Sequence, residues 1–148
     1  MKKFKMVFLL LSVLFFLSLP SNIWAHGKEG HKSLKKEKKR EHWAAPVEEI
    51  KRVNPVEKTL RSIQNGKKLF LNNCSGCHGL TARGDGPDAE FLEPTPTDLK
   101  AMAGHHSDGD QAWKITNGKD PMPAWGDMFS ENQVWDIVNF IQSLKKNH

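Results

Sequence analysis

The sequence has only two cysteines in 148 residues, Cys74 and Cys77. A structural zinc site would need a second pair of ligands, and a thioredoxin-like redox pair would need a βαβ pattern around it, which is not visible. Neither cysteine follows the apolar N-terminal run, so lipid attachment at that point is excluded. A local disulfide stays open as an interpretation of the pair.

The sequence also has only one long apolar run, and this run is short for a membrane span. Residues 6–19 are almost wholly apolar, follow three lysines and lead to a small residue at Ala25. Their 14 positions fall short of the roughly 20 that a spanning helix needs. A basic start, an apolar middle and a small residue at the end are typical of a secretory signal. We predict a signal peptide over residues 1–25 and export, with an uncleaved N-terminal membrane anchor as the alternative.

The chain lacks a strong excess of either charge once that signal is removed. The net charge of +5 falls to +2, with 19 basic against 17 acidic side chains, and nothing here suggests nucleic acid. Residues 26–53 hold nine Lys and Arg against five Asp and Glu, and residues 54–148 hold ten against twelve. We predict a charged, largely disordered tether and lead-in over 26–53, and one domain over 54–148.

The most basic part of the tether is residues 26–40, with seven Lys and Arg against two Glu. This arm is interpreted as a solvated spacer, since charge runs usually are solvated, and the alternative hypothesis is that it steers the protein toward an acidic partner or an anionic membrane surface. His26, His31 and His42 have no rigid scaffold, so we expect them to face solvent. The lead-in that follows, 43–56, is expected to lie on the domain surface, anchored by Trp43.

The stretch that the sequence does contain is Cys74-Ser75-Gly76-Cys77-His78. Two thiols three positions apart, followed directly by a histidine, match C-x-x-C-H, the pattern for covalent attachment of a c-type haem. Cys74 and Cys77 can each bond one vinyl group of the porphyrin, and the imidazole of His78 can coordinate the iron from below. The motif therefore predicts one covalently bound haem c.

A second iron ligand is predicted in the loop over residues 119–126. Met122 stands between two prolines, which restrict the backbone on both sides and hold the thioether in a fixed pose. We predict that Met122 is the sixth ligand of the haem iron. Met102 and Met128 are competing sulfur ligands, but prolines do not flank them in this way.

Three helices are predicted around these motifs. The first begins near Ser62, whose hydroxyl can cap it, and runs into the haem motif; the second runs from Ser107 to Gly118. The third begins at Ser130, with Gln133 completing a capping box. Its apolar stripe comprises Val134, Ile137, Val138, Ile141 and Leu144. The turn-rich stretches 79–87 and 93–99 are predicted as loops that wrap the cofactor.

Together these features resemble class I cytochromes c, in particular small monohaem bacterial ones of the periplasm. The resemblance covers about residues 54–144. It is carried by the haem motif, the Gly84-Asp85-Gly86-Pro87 turn, Pro96-Thr97-Asp98-Leu99, Met122-Pro123-Ala124-Trp125 and the terminal helix.

The resemblance implies an all-α class I cytochrome c fold, in which the N- and C-terminal helices cross around one haem c. The contacts implied at the crossing join Gly66 and Phe70 to Ile137, Phe140 and Ile141. The resemblance also implies that the Pro87 carbonyl orients the proximal imidazole, and that Leu99 and Trp113 pack near the porphyrin.

The function implied is that of a periplasmic one-electron carrier with His78 and Met122 as axial ligands, either a soluble shuttle or the haem subunit of a respiratory redox complex. We expect a monomer that meets redox partner proteins and is not an enzyme, because two permanent axial ligands leave no open coordination site. The alternative is a haem enzyme or gas-binding sensor in which Met122 leaves the iron. His105 and His106 lie in an ungrouped loop and do not form a clear distal pair.

Overall fold

A computed structural model describes residues 43–145 of the chain. The predicted signal peptide, the basic arm, the three tether histidines and the last three residues lie outside the described residues. Within 43–145 the fold is helical, with no strand and with no helix both long and apolar enough to cross a membrane. The helices are α1 (Val47–Ile50), α2 (Leu60–Asn73), α3 (Ser75–His78), a 3-10 helix (Ala89–Phe91), α4 (Leu99–Met102), α5 (Asp108–Asn117) and α6 (Glu131–Ser143). The all-α prediction is confirmed.

The core of this fold is the crossing of α2 and α6. Phe70 of α2 is fully buried, and so are Trp135, Ile137 and Val138 of α6. The rings of Phe70 and Phe140 meet across the crossing with their centroids 5.2 Å apart. The implied contact between the first and last helices is therefore present, and it buries the largest apolar side chains of both.

The two helices approach most closely at Gly66. A Cβ at this position would overlap the carbonyl group of Asp136 and would lie 2.9 Å from the backbone nitrogen of Ile137. Only glycine leaves room for this approach. The close packing that it allows offsets the cost of glycine in a helix, which is about 1 kcal/mol relative to alanine. The internal glycine of α2 is thus a packing requirement.

The start of α2 differs from the predicted one. Thr59 is the N-cap, because its hydroxyl oxygen accepts a hydrogen bond from the backbone N–H of Ser62 at 3.2 Å. The hydroxyl of Ser62 is buried and donates to the carboxylate of Asp136 on α6. Contact with α6 therefore decides which of the two hydroxyl residues caps the helix. The predicted N-caps of α5 and α6, Ser107 and Ser130, are as the sequence indicated.

The lead-in packs along α5 and α6 and includes α1, a four-residue helix that the sequence did not predict. The rings of Trp43 and Trp113 lie 6.4 Å apart, edge to face. The backbone N–H of Ala45 donates to Asp110 of α5 at 2.9 Å. Part of the segment predicted as tether and lead-in is therefore packed, while the domain boundaries themselves stay a prediction.

We expect Gly66→Val to lower the free energy of unfolding by about 1–3 kcal/mol, because the added side chain must push α6 away. Thermal and denaturant unfolding of the haem-loaded protein measures this. Lys68→Val is the matched control, since it places the same β-branched side chain at an exposed position of α2. A thermal midpoint unchanged by Gly66→Val would contradict close packing at the crossing.

We also expect Asp110→Asn to loosen the lead-in in a pH-dependent way. Burial alone would raise the pKa of Asp110, but hydrogen bonds from Lys114 and Ala45 and the nearby charges of Lys114 and His106 outweigh it and hold the pKa below its ordinary value. A carboxylate with a lowered pKa stabilises the fold above its unfolded pKa of about 3.9, and this contribution is lost as the pH falls through the folded pKa.

The stability difference between wild type and Asp110→Asn should therefore be about 1–3 kcal/mol at pH 7 and should shrink below about pH 4. Urea unfolding across this pH range measures it. A difference that stays constant down to strongly acidic pH would show that the charge of Asp110 does not hold the lead-in.

Candidate haem-binding site

The C-x-x-C-H motif directly follows α2. Cys74 ends α2 and begins α3, and its backbone N–H donates to the carbonyl of Phe70 at 2.8 Å. The N–H of His78 in turn donates to the carbonyl of Cys74 at 2.9 Å. These bonds join the motif to the buried turn of α2, so the helix crossing also fixes the motif.

The two cysteines are half-buried free thiols in one helical turn. Burial, with a smaller effect of Cys77, raises the pKa of the Cys74 thiol to about 11. Burial and the charge of Asp88 raise the pKa of Cys77 as well. The pair is not joined as a disulfide, and residues 43–145 contain no cluster of His, Cys, Asp and Glu that could hold a metal ion. Neither the disulfide nor the zinc interpretation gains support.

The imidazole of His78 is held in the form that a metal requires. Its Nδ1 lies 3.1 Å from the carbonyl oxygen of Thr97. A carbonyl can only accept, so this contact assigns the hydrogen to Nδ1 and leaves the lone pair on Nε2. Burial lowers the pKa of His78, outweighing the opposite effect of the Thr97 hydrogen bond, so the ring is neutral at pH 7. A neutral imidazole with its other N–H fixed is suited to iron coordination.

The carbonyl that orients His78 is not the predicted one. Pro87 was assigned this role, but Thr97 fills it. The turn that carries Pro87 is bonded to the motif's backbone instead, since Gly86 N–H donates to the Cys77 carbonyl at 3.1 Å and Asp88 N–H donates to the Gly76 carbonyl at 3.0 Å. That turn therefore supports the motif, and the later loop reaches the imidazole.

A close approach of backbones explains the glycines of this turn. A Cβ on Gly86 would overlap the carbonyl oxygen of Gly76, and a Cβ on Gly84 would overlap the carbonyl oxygen of Pro96. Gly84 also has a φ of +77°, which favours glycine. The turn thus packs between the haem motif and the loop that carries Thr97.

The loop that carries Met122 is fixed at both ends. Lys119 and Met122 exchange two backbone hydrogen bonds of 2.9 and 2.8 Å, and the N–H of Trp125 donates to the carbonyl of Ile115 at 3.1 Å. Gly118 begins the loop with a φ of +61°, which other residues rarely adopt. Met122 is half-buried against the same apolar core that contains Phe70. Its assignment as an iron ligand stays a prediction.

The two other predicted site residues, Leu99 and Trp113, lie in different surroundings. Leu99 is half-buried and packs on the same core as Cys74 and Met122. Trp113 is also half-buried, but the ring contact that the structure gives it is with Trp43 of the lead-in. Thr97 was missed as a site residue because a backbone carbonyl leaves no residue-type signal, and Pro96 before it was the only local hint.

Comparison with known proteins places these residues in a family context. Residues 61–141 match the family described as "Cytochrome C oxidase, cbb3-type, subunit III". The chain is 32% identical over 79 residues to cytochrome c6 of Alaria esculenta, covering 53% of this chain and 87% of the relative. It is 35% identical over 86 residues to the cbb3-type cytochrome c oxidase subunit FixP of Rhizobium meliloti, covering 55% of this chain and 27% of FixP.

A solved structure also resembles the chain. It belongs to the reducing HAO-like protein complex of Kuenenia stuttgartiensis and matches with a TM-score of 0.54 and 28% identity, covering 62% of this chain and 47% of that chain. The likeness therefore extends from sequence to fold, and the family match over residues 61–141 contains the motif, Thr97 and Met122.

We expect the double variant Cys74→Ala/Cys77→Ala to lose covalent haem completely, because no other cysteine can form a thioether. Haem staining after denaturing electrophoresis checks this, since only covalently bound haem stays with the chain. Ser75→Ala is the matched control inside the same turn and should stain like wild type. Staining that survives the double variant would refute attachment at the motif.

Proposed function

Since the chain belongs to the family of cytochromes c described as subunit III of cbb3-type cytochrome c oxidase, and binds haem c, we propose that it carries one electron at a time through a haem attached to Cys74 and Cys77. His78 and Met122 are the proposed axial ligands of the iron. The observation that carries this proposal is the fixed, neutral imidazole of His78, which directly follows two free thiols.

A haem c bound at this site supplies the one-electron chemistry of its iron. The residues of the chain set the conditions for it. Thr97 holds the orientation of the imidazole, and a methionine thioether as second ligand favours reduced iron and raises the potential. His78 and Met122 would hold the iron with their side chains and leave no coordination position for a substrate, which is why we propose a carrier and not an enzyme.

The relatives support electron transfer in two settings. The match to cytochrome c6 covers 87% of that protein, so 79 residues of this chain correspond to nearly a whole small cytochrome. FixP is named as an oxidase subunit, and the match covers about a quarter of it. We therefore propose a periplasmic protein, exported by residues 1–25, that works as a shuttle or as the haem subunit of a respiratory complex.

Replacing Met122 tests the ligand assignment. The oxidised wild-type protein should show the weak sulfur-to-iron charge-transfer absorption of a methionine-ligated haem, and Met122→Ala should abolish it and lower the midpoint potential. Met128→Ala is the control, because that side chain is 68% exposed and should leave the spectrum unchanged. A band that survives Met122→Ala would move the ligand to Met102 or Met128.

Carbon monoxide separates the carrier from the alternative, a haem enzyme or gas-binding sensor. The reduced wild-type protein should not bind carbon monoxide at neutral pH, because Met122 fills the position, whereas reduced Met122→Ala should bind it. Stoichiometric binding by the wild type would favour the alternative, in which Met122 is displaceable.

A further inference from the structure

An open groove of about 400 Å³ lies between α4, the loop before α5 and the end of α6. Its lining is dominated by positive charge. The residues that line it are Arg83, Asp98, Lys100, Ala101, Ala103, His105 and Lys145. None of the proposed haem attachment sites or iron ligands is among them. We call this groove the basic groove.

The basic groove holds three cations, Arg83, Lys100 and Lys145, against one carboxylate. Its one carboxylate, Asp98, already accepts the backbone N–H of Ala101 at 2.8 Å as the N-cap of α4. Within residues 43–145, Arg83, Lys100 and Lys145 form no ion pair. The same region is acidic overall, with eleven Lys and Arg against fourteen Asp and Glu, a net charge of −3. Unpaired cations gathered on an acidic domain repel one another, and an anionic ligand would relieve that repulsion.

The fold brings these cations together through specific backbone contacts. Gly104 has a φ of +81°, and a Cβ there would lie 2.8 Å from Cδ of Lys145, so the glycine makes room for the stem of that lysine. The N–H of Gly104 donates to the side-chain oxygen of Gln142 at 3.0 Å, which ties the loop to α6. The N–H of Lys100 donates to the carbonyl of Ala82 at 3.0 Å, which sets α4 against the segment that carries the arginine.

We propose that the basic groove docks a carboxylate-rich patch on the protein with which this cytochrome exchanges electrons. An arginine can bind a carboxylate in bidentate fashion, and the lysines add point charges beside it. Arg83 and Lys145 are exposed and Lys100 is half-buried, so the donors reach the rim of an open groove. Charges in such a position raise the association rate and select the orientation of a charged partner.

This proposal rests on the proposed electron-transfer function, which gives the partner its redox role. The site also has a favourable position in the chain, because Asp98 and Lys100 follow Thr97, whose carbonyl holds the imidazole of His78. A partner bound at the groove would therefore contact the segment that supports the proximal ligand.

An anionic membrane fits the groove less well than an acidic protein. The cations line a concave surface, whereas a bilayer presents a flat one. Large exposed apolar residues would anchor a protein in the membrane–water interface, but those of residues 43–145 do not line the groove. Those residues are Val47, Ile50, Val53, Leu60, Leu80, Phe91 and Met128.

Titration of the reduced, haem-loaded, ¹⁵N-labelled protein with an oligoglutamate peptide tests the proposal. At low salt, amide shifts should concentrate in residues 82–84, 98–105 and 143–145, and they should weaken as salt rises. Lys100→Gln/Lys145→Gln should reduce the affinity about five-fold or more. Lys67→Gln/Lys68→Gln is the matched control, because it removes the same charge from an exposed face of α2 and should bind like wild type.

Four outcomes would overturn the proposal. The first is that amide shifts are absent from the groove. The second is that both double variants lose the same affinity for the peptide. Either result would mean that the peptide is attracted only nonspecifically by surface charge. Inorganic phosphate that binds the groove at least as tightly as the peptide would make it a small-anion site. If the groove variant no longer binds phosphatidylglycerol vesicles but still binds the peptide, the groove is a membrane contact. The haem spectrum recorded for each variant tests methionine ligation separately, so failure of either proposal is recognisable.

Discussion

The contact on which this structure depends is the close crossing of α2 and α6 at Gly66. Both halves of the candidate site adjoin these helices: the haem motif continues α2 beyond Asn73, and the loop that carries Met122 precedes α6. A larger residue at the crossing would meet the backbone of Asp136 and Ile137 and separate the helices. The packing of the two helices that adjoin the candidate site therefore depends on a residue outside that site.

Buried polar groups reinforce the crossing. Asn139 lies on the apolar face of α6 with only 2% of its surface exposed. Its Nδ2 donates to the hydroxyl of Ser62 at 2.9 Å and to the carbonyl of Val56 at 3.0 Å, and its Oδ1 accepts from Asn54 at 3.0 Å. Because the side-chain amide of Asn139 is hydrogen-bonded through both its nitrogen and its oxygen, it avoids the free-energy cost of an unpaired buried polar group. These bonds also join α6 to both α2 and the lead-in.

The features that the sequence could predict are those whose cause lies within a few residues. The capping box of α6 joins Ser130 to Gln133, and the haem motif spans five positions, so both are legible in the sequence alone. The family resemblance supplied the long-range crossing at Gly66. Two local assignments failed: Thr59, not Ser62, caps the helix, and the carbonyl beside His78 belongs to Thr97, not Pro87. Contacts with distant parts of the chain decide such assignments, and local patterns carry no record of those contacts.

The net charge of the domain hides a difference between two groups of cations: some form ion pairs within the fold, and others do not. On the lead-in side, Arg52 pairs with Glu49 and with Glu131 of α6, and Lys114 pairs with the buried Asp110. These cations are paired within the fold: the Arg52–Glu131 pair joins the lead-in to α6, and the Lys114–Asp110 pair lies within α5. The cations of the basic groove have no such carboxylate within the described region, although the domain has an excess of acidic residues. Six other Lys and Arg of residues 43–145 are also outside any ion pair, so the basic groove is set apart by holding three such cations together, where they remain available to an anionic surface outside the chain.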